Sequence, residues 1–114
     1  MAVTIYHNPK CSKSRQTLQL LRDNGVEPEI VEYLKTPPDA KTLATLLGML
    51  GLKPRELMRT KEQEYKAAGL AQVSDDAALI AAMVETPKLI ERPIVVNGDK
   101  AALGRPPEQV LEIL

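Results

Sequence analysis

The chain has a single cysteine, Cys11, at a position that favours thiol ionisation. Val3-Thr4-Ile5-Tyr6 is typical of a strand, His7-Asn8-Pro9-Lys10 of a turn, and Cys11-Ser12-Lys13-Ser14-Arg15 of the beginning of a helix. The first turn of a helix presents unpaired N–H groups and about half a positive charge. In such a setting the pKa of a cysteine falls from about 8.5 to roughly 3.5–7.5. The same N–H groups bind anions, so a nucleophile and an anion site are predicted at one place.

The alternative is that Cys11 is only a small buried hydrophobic residue. The positive charges of Lys10, Lys13 and Arg15 close by along the chain favour the reactive interpretation. His7, at the end of the predicted strand, is open to two interpretations, a hydrogen-bonding group or a catalytic one.

Three arginines outside the first helix stand at predicted element boundaries. Arg59 follows Leu57-Met58, Arg92 precedes Pro93, and Arg105 follows Gly104. Each could be a solvated surface residue. A guanidinium group nevertheless presents a planar fork of donors that matches an oxyanion, so the three together with Cys11 predict an oxyanion cage.

Length and composition limit the class of protein. The 114 residues suit one domain, and 15 basic against 15 acidic residues give no electrostatic case for nucleic acid as a partner. One cysteine cannot form an intramolecular disulfide, and one cysteine with one histidine cannot build the usual metal sites. With no export signal and no apolar run of about 20 residues, we expect a cytoplasmic protein that does not contact a membrane.

The hydrophobic pattern predicts alternating strands and helices. A strand, a helix that ends at Asn24-Gly25, and a strand at 28–33 form a βαβ unit with parallel strands. The next predicted element is a helix from Asp39 to Gly51, with a buried stripe of Leu43, Leu46, Leu47 and Leu50. One or two short helices at 54–69 follow, and then a helix from 74–76 to Thr86 that buries Leu79, Ile80, Met83 and Val84. The chain is predicted to end with a hairpin of strands 93–96 and 101–103 around Asn97-Gly98 and a final helix opened by Pro106-Pro107.

This order predicts an α/β fold with a thioredoxin- or glutaredoxin-like mixed sheet. Residues 1–114 would form a single domain with an extra helical insertion, about 39–86, between the second and third strands. In this architecture the loop before the third strand passes close to the start of the first helix, where an X-Pro bond is often cis. We therefore predict a cis Arg92-Pro93 bond, with Pro93 facing Cys11.

Four separated motifs resemble the glutaredoxin-coupled arsenate reductase family, and together they extend over essentially the whole chain. They are Ile5-Tyr6-His7-Asn8-Pro9-Lys10-Cys11-Ser12-Lys13-Ser14-Arg15, Tyr33-Leu34-Lys35-Thr36-Pro37-Pro38, Arg92-Pro93-Ile94-Val95-Val96 and Gly104-Arg105-Pro106. The resemblance implies that Cys11 is the nucleophile that attacks arsenate and that His7 helps to keep its thiol ionised. It implies that arsenate is bound by Arg59, Arg92 and Arg105. Of the polar residues of the active-site loop, Ser14 is predicted to take part in catalysis, and Arg15 and Asn8 in substrate binding.

The resemblance also implies a reaction. Cys11 would form a covalent adduct with arsenate, glutathione would attack next because the chain has no second cysteine, and glutaredoxin would clear the mixed disulfide. No bound cofactor is expected, since glutathione is a co-substrate. One departure concerns the loop, which is Cys-Ser-Lys-Ser here, whereas arsenic-resistance members carry Gly-Thr after the cysteine. This variant resembles a housekeeping branch of the family.

Two other functions remain open. One is a glutathione-linked thiol reductase of the same fold acting on another substrate, such as a glutathione mixed disulfide. The other is a redox regulator like the Spx proteins, whose sensing members use Cys-x-x-Cys as a disulfide switch. Ser14 stands where the second cysteine would be, which disfavours the regulator.

Overall fold

The computed structural model describes residues 2–114, which form two compact units. The first unit extends to Thr36 and resumes at Arg92, and the second is Pro37–Glu91. The predicted helical insertion lies within the second unit. In the described part of the chain, no helix is long and apolar enough to cross a membrane.

The first unit contains a mixed sheet of β1 (Val3–His7), β2 (Glu29–Glu32), β3 (Ile94–Asn97) and β4 (Lys100–Leu103). Within residues 2–114 the strand order is β2-β1-β3-β4. The β1–β2 pair is parallel and the other two pairs are antiparallel. The predicted βαβ unit and mixed sheet are therefore confirmed.

The hairpin turn lies one residue later than the sequence predicts. Asn97 still belongs to β3 and pairs with Lys100, so the turn consists of Gly98 and Asp99. Gly98 has φ of 66°, a conformation that glycine adopts without the steric cost of a side chain. The glycine therefore occupies the first turn position, and the asparagine completes the strand.

The core of the first unit lies between the sheet and helix α1 (Ser12–Asp23). It consists of buried aliphatic residues from both layers and from the C-terminal segment: Val3, Ile5, Leu21, Val95 and Val110. The buried face of α1 is partly polar, since Ser14 and Thr17 are as inaccessible as Leu21. Towards the N-terminus of α1, two hydroxyl side chains thus lie on the face that Leu21 buries further along the helix.

The C-terminal segment is helical, as predicted, but it is a 3₁₀ helix, Pro107–Ile113, instead of an α-helix. Its inward residues Pro107, Val110 and Ile113 are spaced by three, and residues with that spacing align on one face of a 3₁₀ helix. The three-residue spacing of the apolar positions therefore explains the tighter winding.

The second unit contains four of the five α-helices that the structure describes. They are α2 (Ala40–Leu50), α3 (Pro54–Leu57), α4 (Gln63–Ala67) and α5 (Asp76–Glu85), with 3₁₀ turns at Leu70–Gln72 and Pro87–Leu89. The Asp39 side chain accepts a hydrogen bond from the backbone N–H of Thr42, and Gly51 ends α2 in the left-handed conformation, as the pattern predicts.

The buried faces of α2 and α5 are narrower than the sequence predicts. Leu43, Leu46, Leu47, Leu79 and Met83 are buried, whereas Leu50, Ile80 and Val84 are only half-buried. The three half-buried residues lie at the margins of their stripes.

The loop before β3 and the segment after β4 meet in the first unit. The Arg92–Pro93 peptide bond is cis, which confirms that part of the prediction, and the Arg105–Pro106 bond is also cis. That Pro93 faces Cys11 stays a prediction. The backbone N–H of Gly104 donates to the carbonyl of Pro93 at 3.0 Å. A Cβ atom at position 104 would lie 2.7 Å from Cγ of Pro93 and would overlap the hydroxyl of Thr17. Gly104 therefore allows the end of β4 to approach both α1 and the Pro93 loop.

We predict that Gly104→Ala destabilises the protein by about 1–3 kcal/mol, because the added methyl group overpacks a buried junction. Urea unfolding would measure this change. Gly48→Ala is the matched control, since a Cβ atom there meets nothing within 4 Å in helix α2. The control should be neutral or stabilising by up to about 1 kcal/mol. Equal effects of the two substitutions would contradict the close approach at Gly104.

Candidate active site

Cys11 is the N-cap residue of α1, directly after the turn that follows β1. Its backbone N–H donates to the carbonyl of Asn8 at 3.0 Å, and its carbonyl accepts from the N–H of Arg15 at 3.0 Å. The side chain is 8% exposed. The thiol therefore lies at the N-terminus of a helix, as the sequence predicts, and the residue is largely buried.

The pKa of the Cys11 thiol is lowered from its ordinary value. Burial, the largest single influence, acts to raise the pKa. The backbone N–H groups of Ser14 and Lys13 lower it by donating towards the sulfur. The guanidinium charges of Arg92 and Arg105 lower it further. Because these effects together outweigh burial, the thiolate is more favoured than in a free cysteine.

Arg105 contacts the sulfur directly through its guanidinium group. Its Nη2 lies 3.9 Å from Sγ of Cys11, and its Nε donates to the carbonyl of Arg92 at 2.8 Å. Arg92 is itself buried and acts on the thiol through its charge. The structure thus brings together two of the three arginines of the predicted cage with Cys11.

His7 and Ser14 form a buried hydrogen-bonded pair beneath the turn. Nδ1 of His7 lies 2.6 Å from Oγ of Ser14, which also accepts from the backbone N–H of Asn8 at 3.0 Å. Burial lowers the pKa of His7; Glu32 opposes that effect, and Arg15 adds to it. This shift favours the neutral imidazole, whose Nδ1 contacts Ser14; a part for His7 in keeping the thiol ionised stays a prediction.

Asn8 and Arg15 both hold the active-site loop in shape. Oδ1 of Asn8 accepts from the backbone N–H of Lys10 at 3.0 Å, and Nη1 of Arg15 donates to the carbonyl of Pro9 at 2.9 Å. Local side-chain bonds of this kind stabilise turns. A part in substrate binding for either residue stays a prediction.

Arg59 lies in the second unit, between α3 and α4. Its Nη1 is 2.8 Å from Oε1 of Glu62, its Nε is 3.9 Å from Oε1 of Glu91, and its backbone N–H donates to the carbonyl of Leu89 at 2.7 Å. Its place in the predicted oxyanion cage stays a prediction from the sequence.

Sequence reasoning missed Thr17. This residue is fully buried, its Oγ1 donates to the carbonyl of Lys13 at 2.8 Å, and its side chain occupies the space that a Cβ at Gly104 would need. Helical spacing could have found it, because Thr17 lies three residues after Ser14 and four before Leu21 on the buried face. Thr17 links the first turn of α1 to the segment that carries Arg105.

The arrangement can perform nucleophilic chemistry on an anion. A thiolate-favouring cysteine, backbone N–H groups and two guanidinium groups converge where a negatively charged substrate would meet the sulfur. Across residues 2–114 no cluster of three or more His, Cys, Asp or Glu side chains could hold a metal ion.

Comparison with known proteins identifies relatives over the full chain. Residues 6–113 match the model of the ArsC family. The chain is 64% identical over 114 residues to the uncharacterized protein YfgD of Escherichia coli, covering 98% of this chain and 96% of that one. It is 50% identical over 116 residues to an arsenate reductase of Haemophilus influenzae, covering 100% of both chains.

A solved structure gives the same result for the fold. The arsenate reductase from Vibrio cholerae superposes with a TM-score of 0.95 at 58% identity, covering 100% of this chain and 98% of that one. The thioredoxin-like fold class is thereby confirmed, and so is the family to which the sequence motifs point. The chain belongs to the ArsC family.

Proposed function

We propose that this protein is a thiol-dependent reductase that converts arsenate to arsenite through a covalent adduct on Cys11. The observation that carries the proposal is the lowered pKa of a cysteine at the start of α1, with Nη2 of Arg105 3.9 Å from the sulfur. The arsenate reductases among its relatives, of which one is 50% identical over 116 residues, support arsenate as the substrate.

The first step is attack by the Cys11 thiolate on arsenic. A sulfur–arsenic bond forms, one arsenate oxygen leaves as water after protonation, and arsenic stays at oxidation state +5. Arg92 and Arg105 neutralise the charge on the remaining oxygens. The helix N–H groups of Lys13 and Ser14 hold the thiolate before the attack.

The second step requires an outside thiol, because Cys11 is the only cysteine in the chain. A glutathione thiolate attacks the Cys11 sulfur, the sulfur–arsenic bond breaks, and arsenic takes the electron pair and leaves as arsenite. Cys11 is then joined to glutathione in a mixed disulfide. A glutaredoxin thiolate attacks the glutathione sulfur and releases the Cys11 thiolate.

Within this mechanism His7 is a positioning residue. Neutral His7 fixes the hydroxyl of Ser14 through the 2.6 Å contact, and that hydroxyl holds the backbone N–H of Asn8 at 3.0 Å. Its effect on the thiol is therefore indirect, through the shape of the loop.

The second candidate is a reductase of glutathione mixed disulfides with the same nucleophile. It is favoured by Ser12 and Lys13, where arsenic-resistance members carry Gly-Thr. The distinguishing experiment is turnover with glutathione and glutaredoxin, measured in parallel with arsenate and with a glutathionylated disulfide. Turnover of arsenate supports the first function, and turnover of the disulfide alone supports the second.

We predict that Cys11 is alkylated by iodoacetamide with a midpoint well below pH 8.5, because its pKa is lowered. The rate of alkylation measured against pH checks this. Below the midpoint the thiol is protonated and the rate falls; above it the rate is constant. A midpoint at 8.5 or higher would contradict the account.

Cys11→Ser should abolish turnover and leave the fold intact.

We predict that Arg105→Ala lowers the kcat/KM for arsenate by roughly tenfold to a hundredfold, the loss of one charge-assisted contact of about 1.5–3 kcal/mol. Arg105→Lys and Arg92→Lys should each recover only part of the activity, because a point charge cannot replace the bidentate fork. Steady-state kinetics measures both effects. Arg22→Ala, which breaks an exposed pair with Glu27 at 3.1 Å, is the control and should change little. Unchanged arsenate reduction in both the Arg92 and Arg105 variants would contradict the cage and favour the disulfide substrate.

A further inference from the structure

Three exposed cationic side chains lie within four residues of Cys11 along the chain: Lys10, Lys13 and Arg15. We call these residues the cationic rim. The first turn of α1 contains no acidic residue. In the chain from Ala2 onwards, no ion pair joins a rim side chain to a carboxylate.

This local charge is unusual in a chain whose 15 basic residues balance 15 acidic ones. Residues 1–22 contain no Asp or Glu, so no carboxylate on this segment balances the rim. The rim charges therefore add up on the segment that carries the reactive sulfur. Such a patch attracts anions and raises their rate of encounter.

The rim is suited to a ligand larger than a tetrahedral oxyanion. At the sulfur itself lies Arg105, whose Nη2 is 3.9 Å from Sγ of Cys11, whereas the rim side chains are exposed to solvent. The rim charges thus suit a ligand whose own charges lie several bonds from its reacting atom. A small thiol that carries carboxylate groups at its ends has this shape.

We propose that the cationic rim binds the carboxylate groups of the incoming thiol, so that Cys11 reacts preferentially with anionic thiols. This rests on the proposed function, in which an outside thiolate attacks the Cys11 sulfur. In that step the new sulfur–sulfur bond forms at Cys11, the bond from Cys11 to its leaving group breaks, and the leaving group takes the electron pair. Lys10 and Lys13 are then specificity-determining residues for the thiol.

The test uses the whole protein and needs no arsenate. Cys11 is first converted to its thiopyridyl disulfide with 2,2′-dithiodipyridine. The release of thiopyridone by glutathione, by glutathione diethyl ester and by the neutral 2-mercaptoethanol is then followed at low ionic strength. Glutathione and its ester carry the same thiol group and differ in their carboxylates. Each rate is divided by the rate with mercaptoethanol, and the ratio of the two normalised rates reports recognition of the carboxylates.

The double variant Lys10→Gln/Lys13→Gln should react with glutathione about fivefold to tenfold more slowly. Its rates with the ester and with mercaptoethanol should change by less than about twofold. Added salt should slow the wild-type reaction with glutathione and leave the variant almost unaffected. The unchanged mercaptoethanol rate shows that the site is intact in the variant.

Lys100→Gln is the matched control, since Lys100 is exposed on β4. In the sheet Lys100 lies opposite Asn97 of β3, and Asn97 lies opposite Val3 of β1. Val3 is at the start of β1, and His7 is at its other end. It should leave all three rates unchanged. The proposal is overturned if the ester reacts as fast as glutathione, if the double variant slows the three thiols equally, or if Lys100→Gln has the same effect as the double variant. Loss of arsenate turnover alone would bear on the proposed function and not on this selectivity.

Discussion

The structure of the site depends on how the chain turns from β1 into α1. One hydroxyl group, Oγ of Ser14, meets Nδ1 of His7 at 2.6 Å and accepts the backbone N–H of Asn8 at 3.0 Å. These contacts tie the end of the strand to the first turn of the helix, and they fix Cys11 between them as the N-cap residue. The helix N–H groups can act on the sulfur only because this turn holds it there.

The pKa of the Cys11 thiol reflects two opposing influences, burial and nearby positive charge. A buried cysteine in apolar surroundings would be protonated and inert. Here burial is opposed by two backbone N–H groups and two guanidinium groups, so the pKa falls although the side chain is largely inaccessible. Arg105 reaches the sulfur because the end of β4 approaches α1 closely, and that approach requires Gly104 next to Thr17. Packing and reactivity are thus coupled through one glycine.

Much of this architecture could be predicted from the sequence. The runs typical of strands, Asp39 at the start of the second helix and Gly51 at its end are local signals, and they predicted the elements and their order correctly. The position of Cys11 at a helix start followed from the same local pattern. The contact of Thr17 with Gly104 joins residues far apart in the sequence, and no local pattern records it. The neutral state of His7 also depends on burial and on Glu32, Arg15 and Arg22, which the chain brings near only after folding.

The central claim is that an oxyanion binds beside the Cys11 thiolate, held by Arg105, Arg92 and the helix N–H groups. Its most direct test is the protection of Cys11 from alkylation by the neutral reagent iodoacetamide, at fixed pH and ionic strength, as arsenate is added. The account predicts a saturable slowing by arsenate that chloride does not produce and that Arg105→Ala weakens. Slowing by arsenate equal to that by chloride would contradict it.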